Sequence, residues 1–130
     1  MTPTTTSRIG AINLVMIPSS DQDRSIEFYV GALGFEKRTD IPFGGGYRWV
    51  EVYPPGGTAG IALAPPRDGE TVARETGVSL TTGDIDSTYA QLKDAGVDVD
   101  AEVSRMGDPV PPMFWFRDPD GHTLMVVEQP

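Results

Sequence analysis

The spacing of apolar residues along the chain switches between strand-like and helix-like, and the switch occurs twice in the same order. Ile9 to Pro18 is a mostly apolar run closed by proline, which predicts a strand. Ser19-Ser20-Asp21-Gln22-Asp23 follows, a group of residues suited to capping a helix N-terminus. Ile26, Tyr29, Val30 and Leu33 then fall on one helical face, and Gly34 stands where a left-handed residue would end the helix. Phe35 to Thr39 predicts a second strand and Gly44-Gly45-Gly46 a turn. Tyr47 to Tyr53 alternates as a third strand would. Pro54-Pro55-Gly56-Gly57 reads as a hairpin turn, and Gly60 to Ala64 as a fourth strand.

The pattern then restarts. Residues 66–76 are polar and read as a linker between a module at about 9–65 and a second at about 77–128, the two forming one domain over 1–130. Gly77 to Thr82 predicts a strand. Asp84-Ile85-Asp86 precedes a helix with Ile85, Tyr89 and Leu92 on one face, stopped by Gly96. Val97 to Glu102, Met113 to Arg117 and Thr123 to Glu128 predict three further strands. The last two are joined by the turn Asp118-Pro119-Asp120-Gly121. Asp21-Gln22-Asp23 and Asp84-Ile85-Asp86 lie 63 residues apart, and Leu33-Gly34-Phe35 and Ala95-Gly96-Val97 lie 62 apart. Such an internal repeat outweighs any single motif. The expected class is α+β: two tandem βαβββ modules forming a curved mixed sheet around a cleft, helices on the outer face. A four-stranded sheet with one helix buries only one face, so the other must be covered, and a ligand in a cleft is one way to cover it.

Composition narrows the chemistry. The 130 residues contain no cysteine and one histidine, His122. Disulfides, thiolate nucleophiles, zinc–cysteine sites, three-histidine zinc and two-histidine iron sites are therefore out of reach of one chain. Ten basic residues against 19 acidic give a net charge of −9, which repels phosphate backbones, so neither nucleic acid nor a membrane is an expected partner. The polar start, Met1 to Ser7, has no apolar core of a signal peptide, and the expected location is cytoplasmic.

Asp21 to Tyr29, Leu33-Gly34-Phe35 and Asp118-Pro119-Asp120-Gly121-His122, in that order, resemble the vicinal oxygen chelate superfamily over about residues 9–128. Glyoxalase I, extradiol dioxygenases, fosfomycin-resistance transferases and bleomycin-binding proteins are members. The resemblance implies a divalent metal held by one residue from each of four strands. Carried onto this sequence, those places are Leu14, Ala62, Gly77 and Met125, and none has an oxygen or nitrogen donor. The expectation is accordingly a protein with no metal and no cofactor, whose cleft is apolar at its centre: Leu14, Met16, Ala62 and Met125.

Around that centre, Trp49, Glu51 and Tyr53 share one face of the third strand and Arg48 lies on the other. A cleft-facing Glu51 favours a cationic or hydrogen-bonding ligand and a cleft-facing Arg48 an anionic one. Met113 and Trp115 are the cleft-facing half of their strand, able to stack on a planar ligand. Glu51 and His122 are the candidates for acid–base catalysis. His122 otherwise reads as a partly exposed turn residue, and the paired aspartates at the helix starts as caps. The loop from Met106 to Pro112 is either a lid or a rigid surface loop. Two functions follow: a homodimeric, bleomycin-resistance-like module that binds a small molecule without metal, or a lyase, isomerase or dioxygenase-like enzyme of the same superfamily using acid–base residues or an unconventional metal site.

Overall fold

The computed structural model describes residues 6–66 and 73–129. Its elements run β1 (Leu14–Pro18), α1 (Gln22–Ile26), a π-helical turn (Glu27–Ala32), β2 (Glu36–Gly44), β3 (Tyr47–Tyr53), β4 (Gly60–Ala64), β5 (Glu75–Thr82), α2 (Ile85–Asp94), β6 (Asp98–Val99), β7 (Met113–Arg117) and β8 (Thr123–Glu128). They build two four-stranded sheets of the same topology, β1-β4-β3-β2 and β5-β8-β7-β6. In each, the first strand pairs in parallel with the last and the remaining pairs are antiparallel. The α+β class and the repeated βαβββ order are those the sequence predicts. Most of linker 66–76 lies outside the described residues, and β5 begins two residues earlier than expected, at Glu75.

The two helix starts show the repeat at atomic detail. Asp21 and Asp84 take nearly the same extended backbone, φ −144° and −146°, and accept a hydrogen bond from the backbone N–H of Arg24 and Ser87 respectively. Both helices end at a glycine in the left-handed region, Gly34 at φ +78° and Gly96 at φ +82°. At the second, Val97 donates to the Leu92 carbonyl and Gly96 to that of Lys93, satisfying two terminal carbonyls.

Other boundaries differ from expectation for reasons visible in the pairing. β1 is five residues long, not ten, because its partner β4 has five, in register from Leu14↔Gly60 to Pro18↔Ala64. Ile9 and Ile12, outside that ladder, stay 84% and 78% exposed. β2 runs on to Gly44 along the seven residues of β3, with irregularities between Lys37 and Thr39 and between Pro42 and Gly44. β6 shrinks to Asp98–Val99. The first helix widens after one α-helical turn, with Leu33 donating to the Phe28 carbonyl.

The helix-side residues of both sheets meet in one core. Ile17, Val50, Val52, Ile61 and Leu63 from the first sheet join Phe114, Phe116, Leu124 and Val126 from the second, with Tyr29, Phe35, Ile85, Leu92 and Val97 between. Phe28 lies 6.3 Å from Phe116 across the halves. No ladder joins the two sheets among the described residues.

Candidate functional site

On the first sheet, alternation sends Arg48, Val50 and Val52 to the helix side and Trp49, Glu51 and Tyr53 to the other. Of the two orientations left open by the sequence, the structure therefore presents Glu51. The Arg48 guanidinium is engaged elsewhere, with Asp40 at 2.9 and 3.1 Å and Asp23 at 2.7 Å. That bonding holds the Asp40 carboxyl well below the usual range and Arg48 above its own. Arg48 thus drops out of the ligand-facing set: it braces β2, β3 and α1.

Glu51 sits in a cross-strand row. It pairs with Ala62 on β4 and Thr39 on β2, and Ala62 pairs with Met16 on β1. Leu14 is half-buried beside Met16 on the same face, Met16 is 49% exposed, and Ala62 is fully covered beneath its neighbours. Both Glu51 oxygens are held. Trp49 Nε1 donates to Oε2 at 2.7 Å and the Tyr53 hydroxyl donates to Oε1 at 2.8 Å. That bond, then burial, raises the Tyr53 pKa. On the second sheet the corresponding row is Ser79–Met125–Trp115, with Met113 opposite Val127. Met113, Trp115 and Met125 are half-buried on that face.

Leu14, Met16 and Ala62 lie on the first sheet and Met125 on the second. The clefts between the halves are lined largely from the helix side. One cleft of about 170 Å³ involves Leu33, Phe35, Leu92, Phe116 and Val126. A neighbouring one of about 340 Å³ runs past Val15, Ile61, Val78 and Leu80.

His122 is not a partly exposed turn residue. It is 3% exposed, at the joint between the halves. Its Nε2 lies 3.0 Å from the Pro18 carbonyl and its Nδ1 accepts the Arg74 N–H at 3.3 Å. A carbonyl can only accept and an amide N–H can only donate, so the neutral ring carries its proton on Nε2. Both nitrogens are occupied, and the ring lies on the helix side of β8, away from Met125. The rest of the turn serves the same joint. Asp118 is buried and accepts from the Tyr29 hydroxyl at 3.0 Å and from the N–H groups of Asp120 and His122. Burial outweighs those bonds and raises the Asp118 pKa. Burial, followed by the Asp118 charge, raises that of Tyr29. Asp120 takes the hydroxyl and N–H of Ser20 and lies 3.4 Å from Arg24. Sequence reasoning missed this joint; the only signal for it was the run of acceptors in Asp118-Pro119-Asp120.

The four places where the resemblance puts metal ligands hold two hydrocarbon side chains, a thioether and a glycine. Gly77 has φ +73°, within an irregularity of β5 between Glu75 and Ser79. That donor set does not fit a divalent cation, which needs oxygen or nitrogen to replace its hydration. Among the described residues, no three His, Cys, Asp or Glu side chains come together as a metal site would need.

Twin βαβββ halves with this topology define a class of small α+β proteins. Residues 11–126 match the Glyoxalase/Bleomycin resistance protein/Dioxygenase superfamily, and the chain belongs to it. It is similar to a member of that superfamily from Sphaerobacter thermophilus DSM 20745, at 37% identity and a TM-score of 0.85 over 93% of this chain and 98% of the other. It also resembles TnmS3, an antibiotic binding protein from Streptomyces sp. CB03234, at 30% identity and a TM-score of 0.81 over 96% and 100% of the two chains. The YurT protein of Bacillus subtilis (strain 168) is 30% identical over 119 residues, 84% of this chain and 91% of that one.

Proposed function

We propose that the protein binds a small planar or cationic molecule without a metal, on the sheet faces opposite its helices. The observation that carries this reading is the Trp49–Glu51–Tyr53 group, an oriented carboxylate between two aromatic rings beside the apolar Met16 and Ala62. Trp115, Met113 and Met125 give the second sheet a matching stacking surface. The likeness to an antibiotic binding protein favours binding over turnover. The enzyme alternative, a lyase, isomerase or dioxygenase-like protein, loses one of its two candidate acid–base residues, since both nitrogens of His122 are engaged in the joint.

We further propose a homodimer in which the Glu51 face of one copy lies against the Trp115 face of the other, so that each site draws on both. β1 and β5 are both edge strands, which pair readily with another chain, and Met16 and Ile41 leave apolar surface to be covered. Titration with a panel of planar aromatic cations, followed by tryptophan emission, tests the binding reading. Saturable changes reduced in both Trp49→Phe and Trp115→Phe are expected; emission indifferent to the whole panel contradicts it. Sedimentation tests the assembly, with a species of twice 14.0 kDa expected and a concentration-independent monomer contradicting it.

A further inference from the structure

The binding reading leaves open what the ligand must carry. The present inference rests on that reading and concerns the charge the site selects. Each Glu51 oxygen already accepts one hydrogen bond, from Trp49 Nε1 or the Tyr53 hydroxyl, and each keeps a second lone pair. Tyr53 is itself held in place. A Cβ on Gly60 would stand 2.7 Å from its Cδ2, so the ring packs against bare backbone. The Arg38 guanidinium stands 4.2 Å from its centroid. Arg38 is in turn committed to the Gly57 carbonyl at 2.6 Å and to Glu36 at 3.1 and 3.2 Å, so it does not neutralise Glu51. Glu51 has no basic partner among the described residues. Its strand neighbours in the row are Ala62 and Thr39, with Met16 beyond. A carboxylate fixed beforehand, in weakly polar surroundings and without a counter-ion, interacts strongly with a cation and costs little ordering when one arrives.

We propose that Glu51 is the specificity-determining residue of this face and selects ligands bearing a protonated nitrogen: an ammonium, an amidinium or a protonated heteroaromatic ring. Tyr53 acts as a positioning residue, clamped by Gly60 and Arg38.

The test is calorimetric titration of the full chain with three planar probes of similar size: 9-aminoacridine as the cation, 9-anthracenemethanol as the neutral member and 9-anthracenecarboxylate as the anion. The wild type is expected to bind the cation about tenfold or more tighter than the neutral probe, and the anion most weakly. In Glu51→Gln the cation-to-neutral affinity ratio falls to about one, and in Tyr53→Phe it falls partway. A merely structural role for Glu51 or Tyr53 would weaken all three probes together and leave the ratio unchanged. A ratio that survives Glu51→Gln overturns the proposal. So does a wild type that binds the three equally or prefers the neutral or anionic member, a result that needs no variant to fold. Equal binding leaves the binding reading standing, whereas failure of all three probes to bind removes both.

Discussion

The tightest tolerance around Glu51 belongs to the smallest residue near it. A methyl group on Gly60 would meet Tyr53 Cδ2 and the Val52 carbonyl, both at 2.7 Å. Gly60→Ala is therefore expected to cost about 1–3 kcal/mol of stability and to displace the Tyr53 ring. A lowered denaturant midpoint measures the cost; an unchanged midpoint contradicts this packing. A second residue effect concerns acid. Asp40 is bonded first by Arg48 and then by Lys37, and its folded pKa lies below the unfolded value. Its contribution is therefore present above about pH 4 and lost as pH falls below that. Asp98 follows the same direction through Arg117. The stability of Asp40→Asn should fall less steeply on acidification than that of the wild type, and parallel profiles would contradict this. The shared face of Trp49, Glu51 and Tyr53 was legible from strand alternation alone. What alternation could not give was the bonding: that Arg48 is engaged within the fold depends on Asp23 and Asp40, which lie 25 and 8 positions away.

At the scale of elements, Gln22 ties the first helix to its sheet, beside the Arg48–Asp23 ion pair. Gln22 Nε2 donates to the carbonyls of Arg48 and Leu63, and its Oε1 accepts the Arg48 N–H at 3.1 Å. Gln22→Ala strands those backbone groups and is expected to cost about 1–3 kcal/mol, read from thermal or denaturant unfolding. A loss within error would mean that water replaces the amide. The matching place in the second half is Ile85, fully buried, so the two modules fasten the same helix start by different chemistry. Elements with local signals were readable: β3, β4, β7 and β8 begin and end where alternation and turn residues put them. Elements whose length depends on a distant partner were not. Ile9 to Asn13 is as apolar as a strand needs, yet β4 is too short to pair with it. The π-helical turn has no sequence signal in its apolar spacing, because Ile26, Tyr29, Val30 and Leu33 suit an α-helix equally well.

Beside their shared core, the two halves are joined by a turn. Asp118, Asp120 and His122 reach Tyr29, Ser20 and Pro18 across the molecule, so a motif legible as a family signature works here as the joint. Tyr29→Phe removes the hydroxyl that bonds a buried carboxylate and should cost about 1–3 kcal/mol. The single imidazole makes a cleaner check: ¹⁵N resonances of His122 should show the proton on Nε2, and the opposite tautomer would break the joint as described. The repeat, and with it the α+β architecture, was readable because its offset of 62 to 63 residues is preserved in order. How the halves face each other was not, since that depends on which sides of the two sheets bury more apolar surface.

The proposed face recognises its ligand through Glu51 and aromatic rings, with no metal. Calorimetry of 9-aminoacridine binding to exhaustively chelated protein, before and after one equivalent of zinc, manganese or iron(II), tests this most directly. Equal affinity in every sample is predicted; binding lost on chelation and restored by one equivalent of metal would contradict it.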